Sequence, residues 1–266
     1  MGQLNSLIGF QTPRLAKKME NYKLYNGKVI LKFDDKNHIY SVNGKTIDGV
    51  TSVIQIIDKS GPLMYWAVNQ AIDYLKNNLK PGKALDEIEI GELLEEASKQ
   101  HRISKNRAAN IGELTHKYIE GAMKGEKPKM PVNKQIRNGI KAFAKWAKEN
   151  KFKPKLVERK VYSKRFGYAG TLDSEGLINN KLAIVDIKTS NRIYDEMRYQ
   201  VAAYQNAREE ETGKKYAERW IIRLGKEDGE FEANKLDNYE KDFKGFLAAL
   251  VLYRRRKELK YSNNGK

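Results

Sequence analysis

The stretch GYAGTLDSEGLINNKLAIVDIKTS (Gly167–Ser190) decides the fold. Its apolar run LAIVDIK carries Asp186 and Lys188 two residues apart, although short apolar strands usually exclude both residue types. Because residues two apart in a strand share a face, these two side chains are predicted to point the same way. Val185 and Ile187 then point to the opposite face, into the core. The sequence therefore predicts a charged pair on one face of a buried strand.

A second acid, Asp173, lies in or just past the preceding predicted strand. A turn at Asn179-Asn180 makes the two strands a hairpin, and antiparallel pairing then places Asp173 near Asp186. Two close carboxylates repel each other, and burial makes their ionisation harder still. A hard divalent cation such as Mg²⁺ or Mn²⁺ removes that conflict. A protonated Lys188 would instead hold an attacked phosphate or the attacking water, which points to phosphodiester hydrolysis.

An ordinary interpretation of the same residues is also open. Asp186 and Lys188 could form a solvent-facing ion pair at a strand end, a contact that contributes roughly 0–1 kcal/mol. Asp173 alone is typical of a turn residue. The tripeptide Asp-x-Lys by itself does not separate these interpretations from a metal site.

Composition narrows the class of partner. The chain has 266 residues, with 51 Lys and Arg against 34 Asp and Glu, and a formal net charge of +17. This charge favours a polyanion, with nucleic acid first and an anionic membrane surface second. Basic runs are spread along the chain, as in RLAKK, KNR, KQIRNGIKAFAKWAKENKFKPK and YRRRKELK. The absence of cysteine excludes disulfides, thiolate zinc sites, iron–sulfur clusters and a cysteine nucleophile.

The order of periodic segments predicts an α/β fold with a central mixed sheet flanked by helices. Short strands are expected in residues 22–47, and strands dominate after Pro154. Two separate helices are expected between residues 86 and 123. The full set of predicted helices is 62–79, 86–100, 104–123, 133–150, 194–213 and 239–260. No transmembrane segment or secretion signal is expected, which favours a cytoplasmic protein of a bacterial or phage-infected cell.

GYAGTLD followed by IVDIKTS resembles the signature of the PD-(D/E)XK nuclease superfamily, in the form found in RecB-type nuclease domains. RYQVAAY (198–204) resembles the Q-x-x-x-Y helix that follows the D-x-K strand in that group, and GELTH (112–116) is similar to its G-x-x-x-H helix. HIYSVNGKTIDGVTSVIQII (38–57) is similar to the entry segment of phage exonucleases of this superfamily, which in turn resemble the mitochondrial genome maintenance exonuclease. The four motifs occur in the expected order.

The resemblance implies a role for each matching residue. Asp173 and Asp186 would bind the metal, helped by His116 and the carbonyl of Ile187, and Lys188 would be catalytic. Further residues are expected to support the site, line it or contact DNA: Glu158, Thr189, Ser190, Arg192, Gln200 and Tyr204. From the residues alone, His116 could be structural and Tyr204 could be core. Thr189, Ser190 and Arg192 could be a polar loop and helix cap.

The resemblance also implies a restriction-endonuclease-like core with an N-terminal β-hairpin and helical additions. The expected division is an extension over 1–60 and a nuclease domain over 61–266, with a helical insert at about 83–150. The implied activity is that of a Mg²⁺- or Mn²⁺-dependent DNA exonuclease without an iron–sulfur cluster, acting in replication, recombination or repair. DNA is the implied partner, with phage or host recombination proteins as further candidates. A structure-specific endonuclease, a non-catalytic DNA-binding accessory protein and an anionic-lipid binder remain open.

Overall fold

A computed structural model describes residues 20–58, 60–225 and 230–263, so the predicted basic run at 14–18 lies outside the described residues. The strands are β1 (Glu20–Leu24), β2 (Val29–Asp34), β3 (Ile39–Val42), β4 (Lys45–Gly49), β5 (Lys153–Ser163), β6 (Tyr168–Ile178), β7 (Lys181–Lys188), β8 (Glu218–Leu224) and β9 (Phe231–Lys235). The helices are α1 (Val50–Ile54), α2 (Ser60–Asn78), α3 (Glu87–Met123), α4 (Lys134–Glu149), α5 (Asp195–Thr212) and α6 (Tyr239–Asn263). Among the described residues, no helix is long and apolar enough to cross a bilayer.

The nine strands of the described residues belong to one sheet, which is mixed as predicted and also includes the N-terminal strands that were expected as an extension packed on the core. β1 to β4 form an antiparallel meander, which extends the expected N-terminal hairpin to four strands. This meander joins the rest of the sheet where β4 runs parallel to the start of β6. β5, β6 and β7 are antiparallel, β8 lies parallel to β7, and β9 is antiparallel to β8. The predicted turn at Asn179-Asn180 is confirmed, with φ of 47° and 64° at its two residues.

Helices cover both faces of the sheet, and the apolar residues of β7 alternate between them. Val185 and Ile187 pack on one face with α4 residues such as Phe143, as predicted. Ile184 packs on the other face with residues of α1, α5 and α6, including Phe246. The central strand is therefore buried from both sides, and the expected mixed sheet flanked by helices is confirmed.

The prediction of two helices between residues 86 and 123 is wrong. One helix of 37 residues, α3, spans this region. Asp86 caps it through the Glu89 amide, while the Glu89 side chain accepts from the Asp86 amide, which completes a capping box. The polar middle, SKNRAAN, contains neither proline nor glycine, so nothing in the backbone ends the helix there.

Candidate active site

The site lies beside β6 where this strand changes its pairing partner from β4 to β7, a position that we call the fork of the sheet. β4 pairs with Tyr168 and Ala169 of β6, whereas β7 pairs with β6 from Ser174 to Ile178. Asp173 lies between these two pairings. The alternation of faces also breaks here, because Leu172 and Glu175, three positions apart, both contact the α5 layer. The side chain of Asp173 is therefore placed at an irregularity rather than within a continuous ladder.

Asp186 and Lys188 form the expected pair on the face of β7 that looks toward α5. Lys188 Nζ lies 2.7 Å from Oδ2 of Asp186. The Asp186 side chain is only 2% exposed, so the pair is not a solvated ion pair at a strand end. Burial raises the pKa of Asp186 to about 6, with Lys188 opposing the shift and Asp173 adding to it. The pKa of Lys188 is lowered by burial but raised more by Asp186 and Asp173, so its net shift is upward and it stays an ammonium.

Asp173 reaches across to β7 through its carboxylate. The amide of Ile187 donates to Asp173 Oδ2 at 2.6 Å, two residues beyond the last β6–β7 pair at Val185. Burial raises the pKa of Asp173, while Lys188 and the Ile187 amide oppose that shift. The backbone of Ile187 therefore does contact the site, through its amide group; the role expected of its carbonyl stays a prediction.

Glu158 brings a third carboxylate to the same level of the sheet. Continuing the β5–β6 register by one residue from Val157 and Ser174 places Glu158 opposite Asp173. Its φ of 54° is in the left-handed region, which costs a non-glycine residue of order 1–3 kcal/mol. Burial and then the charge of Asp173 raise the pKa of Glu158 to about 7. This carboxylate is therefore electrostatically part of the site.

The C-terminal half of α3 faces this cluster. His116 lowers the pKa of Asp186, which places the imidazole within electrostatic reach of that carboxylate. Glu120 raises the pKa of both Glu158 and Asp173. Glu120 belongs to none of the sequence motifs, although its i, i+4 spacing from His116 puts both residues on one face of a helix. Lys124 pairs with Glu120 and partly balances its charge.

Gln200 and Tyr204 support Lys188 from α5. Gln200 Oε1 accepts from Lys188 Nζ at 2.8 Å, and its Nε2 donates to the Tyr204 hydroxyl at 2.8 Å. Tyr204 is 2% exposed, so it lies beneath the site, while Gln200 lines an open cavity of about 780 Å³ that also contains Lys188. The network leaves the ammonium little freedom to rotate away from Asp186. Contact of either residue with DNA stays a prediction.

The residues after Lys188 leave the site in a turn. Thr189 is buried, Ser190 donates its hydroxyl to the carbonyl of Arg192 at 2.8 Å, and Arg192 is exposed. The Arg192 guanidinium lies 4.8 Å from the ring centre of Tyr194, a cation–π contact. These contacts explain the local turn, and the expected phosphate contacts of the three residues remain predictions.

The donor set suits a hard divalent cation. Oδ2 of Asp186 is buried without a hydrogen bond of good geometry, although Lys188 pairs with it electrostatically. Burial raises the pKa of all three carboxylates, Glu158, Asp173 and Asp186, because it penalises their ionised forms, and Lys188 only partly offsets the shift at the two aspartates. Within residues 20–58, 60–225 and 230–263, no three acidic or histidine side chains converge as placed on one ion. A cation such as Mg²⁺ is usually bound through one or two carboxylates and keeps several waters, so it needs no third protein ligand here.

Comparisons with known proteins give no sequence relative: no family model and no curated protein matches the chain. Solved structures with a similar chain path include a candidate exonuclease from Eubacterium rectale, at 12% identity over 74% of this chain and 83% of that chain, with a TM-score of 0.41. The protein SSO0001 matches at 10% identity over 73% and 87%, with a TM-score of 0.31. An alkaline exonuclease from Laribacter hongkongensis matches at 16% over 58% and 92%, with a TM-score of 0.28.

The order and pairing of the strands of this chain define its fold. The three-stranded β5–β6–β7 meander is followed by α5 and by β8, which lies parallel to β7. The acids and the lysine of the sequence motif meet at the fork of this sheet. The described chain is thus consistent with a PD-(D/E)XK-like nuclease fold.

Proposed function

We propose that the chain is a divalent-metal-dependent deoxyribonuclease, and an exonuclease that acts on DNA ends or single strands. The observation that carries the proposal is the buried Asp186–Lys188 pair, held at 2.7 Å beside the carboxylate of Asp173. A structural ion pair would not need a second and a third acid with raised pKa values around it. The net charge of +17 supports a polyanionic substrate.

In the proposed mechanism, Asp173 and Asp186 hold Mg²⁺ or Mn²⁺, with His116 and Glu158 as further candidate ligands. A bound cation supplies charge neutralisation and lowers the pKa of a coordinated water. The chain itself contributes the Lys188 ammonium, which donates to Gln200 Oε1 at 2.8 Å and is oriented by this contact. In the proposed mechanism the ammonium stabilises the negative charge that develops on the attacked phosphate. Because the pKa of Lys188 is raised, we assign it to charge stabilisation rather than to proton abstraction.

The test compares four DNA substrates: linear single-stranded and linear double-stranded DNA labelled at either end, and closed circles of each kind. We expect Mg²⁺-dependent loss of linear DNA from an end, with both circles left intact. Lys188→Gln should lower the rate by about 10²–10³-fold, the usual effect of removing one such donor. Asp73→Asn, an exposed acid on α2, serves as the matched control and should cleave normally.

Other outcomes select the alternatives. Cutting of closed circles would identify an endonuclease and contradict the exonuclease assignment. Binding of DNA without any product, with Mg²⁺ or Mn²⁺ present, would favour a non-catalytic accessory protein. Full activity in Asp186→Asn would contradict the proposed site itself.

A further inference from the structure

A groove leads away from Lys188 toward the C-terminal helix. The cavity of about 780 Å³ that contains Lys188 and Gln200 is also lined by Gln55, Ile56 and Arg256. A second cavity, of about 310 Å³, is lined by the same Gln55, Ile56 and Arg256 and continues between α1 and α6. Because the two cavities share three lining residues, they lie side by side, and we call the pair the α1–α6 groove.

The charge of this groove changes along its length. Near Lys188 the lining contains the acids Asp58 and Glu196 as well as Arg256, so positive and negative charges balance. At the α6 end the lining contains Arg256, Lys257 and Lys260 and no acidic residue. A polyanion is therefore attracted most strongly at the end far from the reacting carboxylates.

Two of the three cations at this end are available to a ligand. Lys257 is held by Asp48, together with Arg254, and this contact ties α6 to β4. Arg256 and Lys260 are exposed, lie one helical turn apart on α6, and pair with no acidic side chain in the described part of the chain. Arg256 and Lys260 therefore present two cations on one face without a counterion.

The opposite side of the site is different in charge. The cavity of about 560 Å³ beside His116 is lined by three glutamates, Glu113, Glu120 and Glu126, against Lys117 and Lys124. Lys124 is already paired with Glu120. The lining of this cavity has no excess of positive charge to attract a phosphate backbone. It differs in this respect from the α6 end of the α1–α6 groove.

We propose that the α1–α6 groove holds the phosphate backbone of the unreacted part of a nucleic-acid strand, with Arg256 and Lys260 as phosphate ligands. This inference rests on the proposed function and adds the direction in which the strand leaves the site. Phosphate contacts of this kind supply affinity and register without sequence specificity. The strand leaves Lys188 along α1 and α6 rather than past His116.

The experiment measures binding of a fluorescent single-stranded oligonucleotide by anisotropy, in EDTA so that no cleavage occurs, over a series of salt concentrations. The double variant Arg256→Gln/Lys260→Gln should lower the salt slope by about 1.4, since each single-strand phosphate contact contributes about 0.7. The two proteins should bind equally at 1 M salt, where the electrostatic contribution vanishes. Over the tenfold decrease to 0.1 M salt, a slope difference of about 1.4 then makes the double variant bind about 25-fold more weakly than the parent protein. Arg255→Gln, on the same helix but paired with Glu258 at 3.2 Å and outside the groove lining, is the matched control and should bind like the parent protein.

The outcomes separate this inference from the proposed function. Equal losses in the double variant and in Arg255→Gln, or no DNA binding by the parent protein, would overturn the groove assignment even if the protein cleaves DNA. A selective loss in the double variant would support the groove even if cleavage is never seen. In a parallel arm with anionic phosphatidylserine vesicles, loss of vesicle binding with DNA binding retained would show a membrane surface instead and overturn the inference.

Discussion

Replacing Asp186 by asparagine should stabilise the protein at alkaline pH while it abolishes the proposed activity. The pKa of Asp186 is raised from its ordinary value of 3.8 to about 6, chiefly by burial. A shift of about two pKa units, at 1.36 kcal/mol each, corresponds to about 3 kcal/mol by which the ionised form opposes folding. Asparagine has nearly the same shape and no charge, so the variant should gain up to about 3 kcal/mol at pH 8.

The dependence on pH follows from the sign of the shift. A carboxyl group whose pKa is raised on folding keeps more protons in the folded state between pH 3.8 and about 6. The free energy of unfolding of the parent protein therefore falls as pH rises through this window. The gain in the free energy of unfolding of Asp186→Asn over the parent protein should be full above pH 6. It should disappear below pH 3.8, where Asp186 of the parent protein is neutral in both the folded and the unfolded state.

Urea unfolding followed by circular dichroism at several pH values, in EDTA, measures this difference. Asp73→Asn removes an exposed charge from α2 and should leave the free energy of unfolding unchanged within about 0.5 kcal/mol. If Asp186→Asn is less stable than the parent at pH 8, the attraction of Lys188 outweighs the burial of the carboxylate. If its advantage is the same at pH 4 and pH 8, ionisation is not the cause; either result refutes the reasoning.

Three further outcomes are expected. Mg²⁺ at about 100 times its Kd should stabilise the parent protein by about 2.7 kcal/mol in thermal unfolding. It should leave Asp186→Asn nearly unaffected, and an equal stabilisation of both proteins would contradict a metal site at Asp186. Gly170→Ala should lower the free energy of unfolding by about 1–3 kcal/mol, because the new Cβ would lie 2.6 Å from the Tyr204 ring; a neutral result would mean that the ring moves freely. Arg208→Met should cost about 3–5 kcal/mol in urea unfolding, because it removes the cation at 2.8 Å from the buried Glu175 and leaves that carboxylate with the neutral Tyr216 hydroxyl; a milder loss would indicate that water reaches the carboxylate.

The sheet and the central pair were accessible from sequence because their signals are local. Alternation in LAIVDIK and the Asn179-Asn180 turn specify a hairpin, and the period of two then places Asp186 and Lys188 on one face. The capping residue Asn133 likewise marks the start of α4, where its side chain accepts from the Ile136 amide at 3.1 Å.

The features that the sequence did not reveal depend on contacts between distant segments or on backbone strain. Nothing in the residues around Glu158 signals a left-handed φ, because glutamate has no preference for that region and the surrounding sheet imposes it. The charge of Glu120 becomes relevant only because α3 packs beside β5. The α1–α6 groove joins residues about 200 positions apart, and periodicity does not specify which helices become neighbours.

The ion pairs of Asp48 with Arg254 and Lys257 span 206 and 209 positions, and they tie α6 to β4, the strand that leads directly into α1. The basic lining of the groove thus depends on residues from both ends of the sequence, because Arg256 and Lys260 lie on a helix that Asp48 holds through two ion pairs. Removal of residues 253–260 would take away both proposed phosphate ligands and both ion-pair partners of Asp48, while Asp173, Asp186 and Lys188 would remain in the chain.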